Sequence, residues 1–236
     1  MPDPASEFAA RLREVRGEIA RAAARAERAP DAVRLVVVTK AAPPAIFALA
    51  QAAGVTDVGE NRVPAALARQ RGWERAFCWH FVGHVQSNKA RKVVAAFDVL
   101  HGIDSAALLT RVDAAAAELG RAPRVLLQVS VSGEDSKGGL VPEDVLPVVR
   151  AGAGLGAARL VGLMTMAPRV DEAEATRPVF AGLRVLRDEV QARAGLPLPE
   201  LSMGMTEDFP IAIEEGATLV RLGTRLVGGL LEGGVP

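Results

Sequence analysis

Apolar positions along the chain recur in two rhythms. Phe8, Leu12, Val15, Ile19 and Ala23 fall three or four apart, one stripe on a helix predicted over about residues 3 to 29 and ending before Pro30. Eight short apolar runs follow: Leu35 to Thr39, Asp57 to Gly59, Trp79 to Val82, Val99 to Ile103, Val125 to Ser130, Leu160 to Met166, Leu201 to Met205 and Leu219 to Leu222. Helical spacing lies between several of them. Ile46, Leu49 and Ala53 precede Gly54; Leu108, Val112, Ala115 and Leu119 precede Gly120; Val145, Val148 and Val149 follow a Pro-Glu-Asp start; Phe180, Leu183, Leu186 and Val190 precede Gly195. Glycine after a periodic stretch and Ser, Asp or Pro before one are the stop and start signals of helices.

The runs are almost continuous in Val, Leu and Ile rather than alternating, so both faces of each strand are buried, as parallel sheets require. Eight such strands, each followed by a helix, in a chain near 250 residues predict an α/β fold: a single (β/α)8 TIM barrel over about residues 34 to 230, with an extra N-terminal helix. An open doubly wound sheet is the alternative, disfavoured because no Gly-x-Gly-x-x-Gly follows the first strand.

Composition narrows the chemistry. The 236 residues carry 28 basic and 28 acidic side chains, and this balance lacks the basic excess that nucleic acid demands. No apolar run approaches the ~20 residues of a membrane helix, and the N-terminus has no apolar signal region; a cytoplasmic protein acting on a small molecule is expected. The single cysteine, Cys78, can form neither an internal disulfide nor a thiolate zinc site alone, and its place before a strand suits burial better than nucleophilic attack. Lysine is scarce: Lys40, Lys89, Lys92 and Lys137 stand among the 28 basic residues, and tyrosine is absent.

In such a barrel functional residues gather at the carboxyl ends of the strands. Lys40 directly follows Leu35-Val36-Val37-Val38-Thr39. Its amine either emerges into an apolar mouth, where desolvation favours the neutral nucleophile, or reaches out to solvent; position alone leaves both open. Ser202 closes the seventh strand, and Arg221-Leu222-Gly223-Thr224 closes the eighth. Loops after these two strands often hold a phosphate on backbone N–H groups, although Gly-Thr also suits an ordinary strand-to-helix turn. His80 and His84 are four apart, a ligand spacing on a helix, but their segment reads as strand and loop, so no metal is expected. Ser132 to Gly139 reads as a loop carrying Lys137.

Together these motifs resemble a known family. Val37-Val38-Thr39-Lys40, Val58-Gly59-Glu60-Asn61, Trp79 to Lys89, Ser132 to Gly139, Gly162-Leu163-Met164-Thr165-Met166, Leu201 to Phe209 and Val220-Arg221-Leu222-Gly223-Thr224 are similar, in order and over about residues 8 to 229, to the pyridoxal 5′-phosphate homeostasis proteins, single-domain relatives of the alanine racemase barrel. The resemblance implies pyridoxal 5′-phosphate as cofactor, held by Lys40 as a Schiff base. It implies a phosphate on Ser202 and the amides of Gly223 and Thr224, with Arg221 near the pyridine nitrogen and Asn61 beside the ring. Arg62 stands where many members have tyrosine, and Ala42 where many have a second basic residue.

A carrier is then expected rather than a racemase, because an arginine at the ring nitrogen makes a poor electron sink and the sequence has no tyrosine base. Lys89 or Lys137 would be a second acceptor, apo-enzymes the recipients, and the chain a monomer. A weak amino-acid racemase and a Schiff-base aldolase are the competing readings.

Overall fold

The computed structural model describes residues 3–40, 42–133 and 138–230. Its first element is helix α1, Pro4–Arg25. The Asp3 carboxylate accepts from the Ser6 amide at 3.2 Å, and Pro4 occupies the first turn, where no N–H is needed. Phe8, Leu12, Val15 and Ile19 are buried as the stripe predicts. The helix stops earlier than expected, at Arg25; residues 26 to 29 form its exit and a short 3-10 turn, Pro30–Ala32, leads into the sheet.

Eight strands follow: β1 Arg34–Val38, β2 Asp57–Glu60, β3 Cys78–Phe81, β4 Val99–Ile103, β5 Arg124–Gln128, β6 Arg159–Met164, β7 Glu200–Ser202 and β8 Leu219–Leu222. Each pairs in parallel with the next, and β8 pairs with β1, so the sheet closes on itself. This is the expected (β/α)8 barrel. β5, β6 and β7 each begin one residue before, and end two or three before, the predicted runs, because Ser130, Thr165 and Met205 already belong to the loops above the sheet.

The connecting helices are α2 Ile46–Ala52, α3 Val63–Gln70, α4 Ala90–Ala96, α5 Ala106–Leu119, α6 Pro142–Gly152, α7 Arg177–Ala194 and α8 Phe209–Glu214, and a single turn, α9 Thr224–Val227, follows β8. The pattern did not mark α3, α4 or α8; each has at most eight residues, too few to show a full apolar period. Inside the cylinder Val36, Val99, Leu126, Met164 and Leu219 form their own cluster, separate from the large core between sheet and helices. Gly162 sets the spacing of β6 against β7: a Cβ there would lie 1.9 Å from the Glu200 carbonyl oxygen. Among the described residues, no helix is long and apolar enough to cross a membrane.

Candidate functional site

Lys40 lies two residues beyond β1 and its side chain is exposed. The chain around it is held from below. Arg69, on α3, donates to the carbonyl of Thr39 at 2.9 Å and to that of Ala42, gripping the backbone on both sides of the lysine. Its Nε lies 3.3 Å from Glu60 Oε1, an ion-pair contact without hydrogen-bond alignment. Glu60 is 1% exposed and accepts from Thr39 Oγ1 at 2.6 Å. Burial pushes its carboxyl above the usual range, against the opposing pull of Thr39, Arg69 and Lys40. The spacing of sequence motifs gave no sign of Arg69, since it lies on an unpredicted helix. The Lys40 side chain itself follows the solvent-reaching alternative; the protein's own walls do not bury it.

Gly223 comes close to the same strand end. A Cβ at this position would be 3.0 Å from the Val38 carbonyl oxygen, so a bare backbone is needed to seat the β8 turn against the exit of β1. The amides of Gly223 and Thr224 carry no hydrogen bond to another described group, as first-turn N–H groups lack an intrahelical acceptor. Asn61 is half-buried and opens onto a cavity of about 540 Å³ whose lining includes Arg62, Phe81, His84 and Lys89. Lys89 is exposed there, on the 3-10 turn Ser87–Lys89. Lys137, the other proposed acceptor, lies outside the described residues.

Arg221 is 6% exposed, inside the barrel. It donates to Ser202 Oγ and, at 3.0 Å, to the Thr165 carbonyl. Desolvation lowers its pKa to about 10, partly offset by Asp208. Ser202 Oγ, the hydroxyl that the resemblance gives to the phosphate, is 0% exposed and is engaged by Arg221 and by His101 Nδ1 at 2.8 Å.

Below Ser202 the polar contacts continue. His101 Nε2 meets His80 Nδ1 at 2.8 Å, and His80 Nε2 meets Asp57 Oδ1 at 2.9 Å. The column runs from the mouth to the opposite end of the barrel. His80 and His84 therefore have different partners, since His84 Nδ1 pairs with Asp104 at 3.0 Å outside the barrel. Asp57, Cys78 and His80 offer ligand atoms within 4.8 Å of one another. These atoms are already engaged within the protein: the thiol, pushed up to about 11 by burial, accepts from Arg124 at 3.3 Å, and Asp57 is bound to His80. Burial lowers the pKa of both histidines, most strongly at His101.

Residues 11–230 match the family model described as "Alanine racemase, N-terminal domain". The pyridoxal phosphate homeostasis protein of Aquifex aeolicus is 36% identical over 219 residues, covering 92% of this chain and 96% of that one. That of Pseudomonas aeruginosa is 40% identical over 225 residues, with 94% and 96% covered. This chain belongs to the pyridoxal phosphate homeostasis protein family. Among solved structures of the family, PipY of Synechococcus elongatus with pyridoxal phosphate bound is 40% identical, with a TM-score of 0.84 over 94% of this chain and 100% of that one.

Proposed function

We propose that this chain binds pyridoxal 5′-phosphate at the carboxyl end of its barrel and serves intracellular vitamin B6 homeostasis as a holder of the cofactor rather than as a catalyst. When bound, the cofactor supplies an aldehyde that condenses reversibly with a primary amine and a ring able to accept electrons. Lys40 supplies the amine, on a backbone clamped by Arg69. The amides of Gly223 and Thr224, close to the exit of β1, receive the phosphate. Asn61 borders the ring, and Arg221 faces its nitrogen.

The observation that carries this reading is the buried Arg221, fixed by Ser202 and Thr165. A guanidinium donates and never accepts, so it stabilises the unprotonated ring nitrogen and weakens electron withdrawal. Holding is favoured over carbanion chemistry, and the sequence has no tyrosine to act as a second base. The chain acts as a monomer and passes its cargo to apo-enzymes, with Lys89 as a second amine beside the site.

The test is spectroscopic. Purified protein should absorb visible light, and borohydride reduction followed by peptide mapping should place the label on Lys40. Lys40→Ala should lose the colour; a yellow variant with undiminished affinity overturns the reading. Robust amino-acid racemisation by the wild type would overturn the holder role alone.

A further inference from the structure

The column beneath Arg221 has a direction that can be derived from both ends. At the top, Arg221 can only donate, so Ser202 Oγ accepts from it. Among the described residues the serine hydrogen then has one hydrogen-bonded acceptor, His101 Nδ1. With Nδ1 accepting, neutral His101 carries its hydrogen on Nε2 and donates to His80 Nδ1. His80 in turn carries its hydrogen on Nε2 and donates to Asp57. At the bottom, an ionised Asp57 can only accept, which gives the same order read upward. Hydrogen bonds from His80 and Thr56 hold this carboxyl below its ordinary value despite burial.

Reversal would require a proton on Asp57 or a buried imidazolium. The groups around the column oppose the second: Arg34 on β1, Arg124 on β5 and Arg221 on β8 all disfavour a cationic histidine. Arg34 is paired with Glu200 on β7, and Arg124 with Cys78 on β3. Asp98 at the foot of β4 pairs with Arg121, Asp208 beyond β7 acts on Arg221, and β6 adds only Arg159 at its start.

We propose that His101, His80 and Asp57 are positioning residues for Arg221, a one-way hydrogen-bond column that fixes the guanidinium at the base of the mouth and so keeps it aimed at the ring nitrogen of a bound pyridoxal phosphate. The proposal rests on the cofactor reading above and extends it across the whole barrel to residues that touch no ligand. Loss of the column removes the partner that orients Ser202 and so loosens one of the two hydrogen bonds, to Ser202 and to Thr165, that hold Arg221. The guanidinium then has room to turn, and the ring nitrogen becomes free to take up a proton.

Two measurements test this. Nitrogen-15 spectra of the imidazoles, simple because the chain has 3 histidines, should show His80 and His101 neutral and protonated on Nε2 from pH 6 to 8. Finding either of them cationic or protonated on Nδ1 in that range overturns the column. The second probe is pyridoxine 5′-phosphate, which has no aldehyde and cannot react with Lys40. His101→Leu should bind it about tenfold more weakly than wild type, and the absorption of the bound ring should become pH-dependent. His101→Gln, whose amide can accept from Ser202 and donate to His80, should restore wild-type affinity and a flat pH profile. Equal affinities and profiles in wild type and His101→Leu overturn the proposal. A wild type that neither binds the probe nor gains visible absorption with pyridoxal phosphate sinks the cofactor reading instead, and the tautomers then judge the column by themselves.

Discussion

Arg69 shows how one side chain can set the geometry of another without touching it. Its guanidinium bridges two carbonyls that flank Lys40, contacts buried Glu60 and lies 5.3 Å from the Phe47 ring centroid. Removing one partner of a buried ion pair leaves the other charge uncompensated, which costs about 3 to 5 kcal/mol. Arg69→Leu should therefore lose about 3 kcal/mol in urea unfolding and bind pyridoxal phosphate more weakly, because the lysine loop is no longer anchored. A variant as stable as the parent would show that Glu60 finds its compensation elsewhere. Lys40 was legible in the sequence because it ends an apolar run. Arg69 was not, since nothing in its local pattern places it beneath a lysine 29 positions earlier.

At the scale of elements, parity along a strand decides what a side chain can do. Ser202 ends β7, and parity turns its side chain into the barrel interior, where Arg221 and His101 engage it. The column was hidden for the same reason: His80 and His101 lie on neighbouring strands, and sequence separation does not disclose their register. A signal was present, since a polar residue inside an apolar strand must find a buried partner. Close packing of strands imposes a second constraint at Gly162, where an added methyl group meets the Glu200 carbonyl at 1.9 Å. Gly162→Ala must separate β6 from β7, and overpacking of this kind costs about 1 to 3 kcal/mol. The denaturation midpoint should fall accordingly; an unchanged midpoint would mean that the β6–β7 edge yields freely.

For the whole molecule, the buried histidines set an acid limit on stability. Folding lowers their pKa values, so below about 6.5 the unfolded chain binds protons that the folded chain refuses. Each histidine's contribution is full above that value and declines as pH falls through the window beneath it, by up to about 1.4 kcal/mol per pH unit. Glu60 has the opposite sign: its pKa is raised on folding, so its favourable contribution is present at low pH and lost as pH rises above 4.5. Comparing wild type with His101→Gln between pH 7.5 and 5.5 cancels Glu60. The variant should show the shallower decline in unfolding free energy, and parallel curves would mean that His101 takes up its proton in the folded state.

Cys78 is the one thiol in the chain, half-buried at the end of the barrel away from Lys40, with its pKa near 11. At neutral pH it is almost wholly un-ionised while the fold is intact and returns to ordinary reactivity when the strands part. An alkylating dye thus becomes a built-in clock for opening of the sheet. Its labelling would be slow in the intact cylinder and faster once the sheet opens, read independently of any chromophore at the other end.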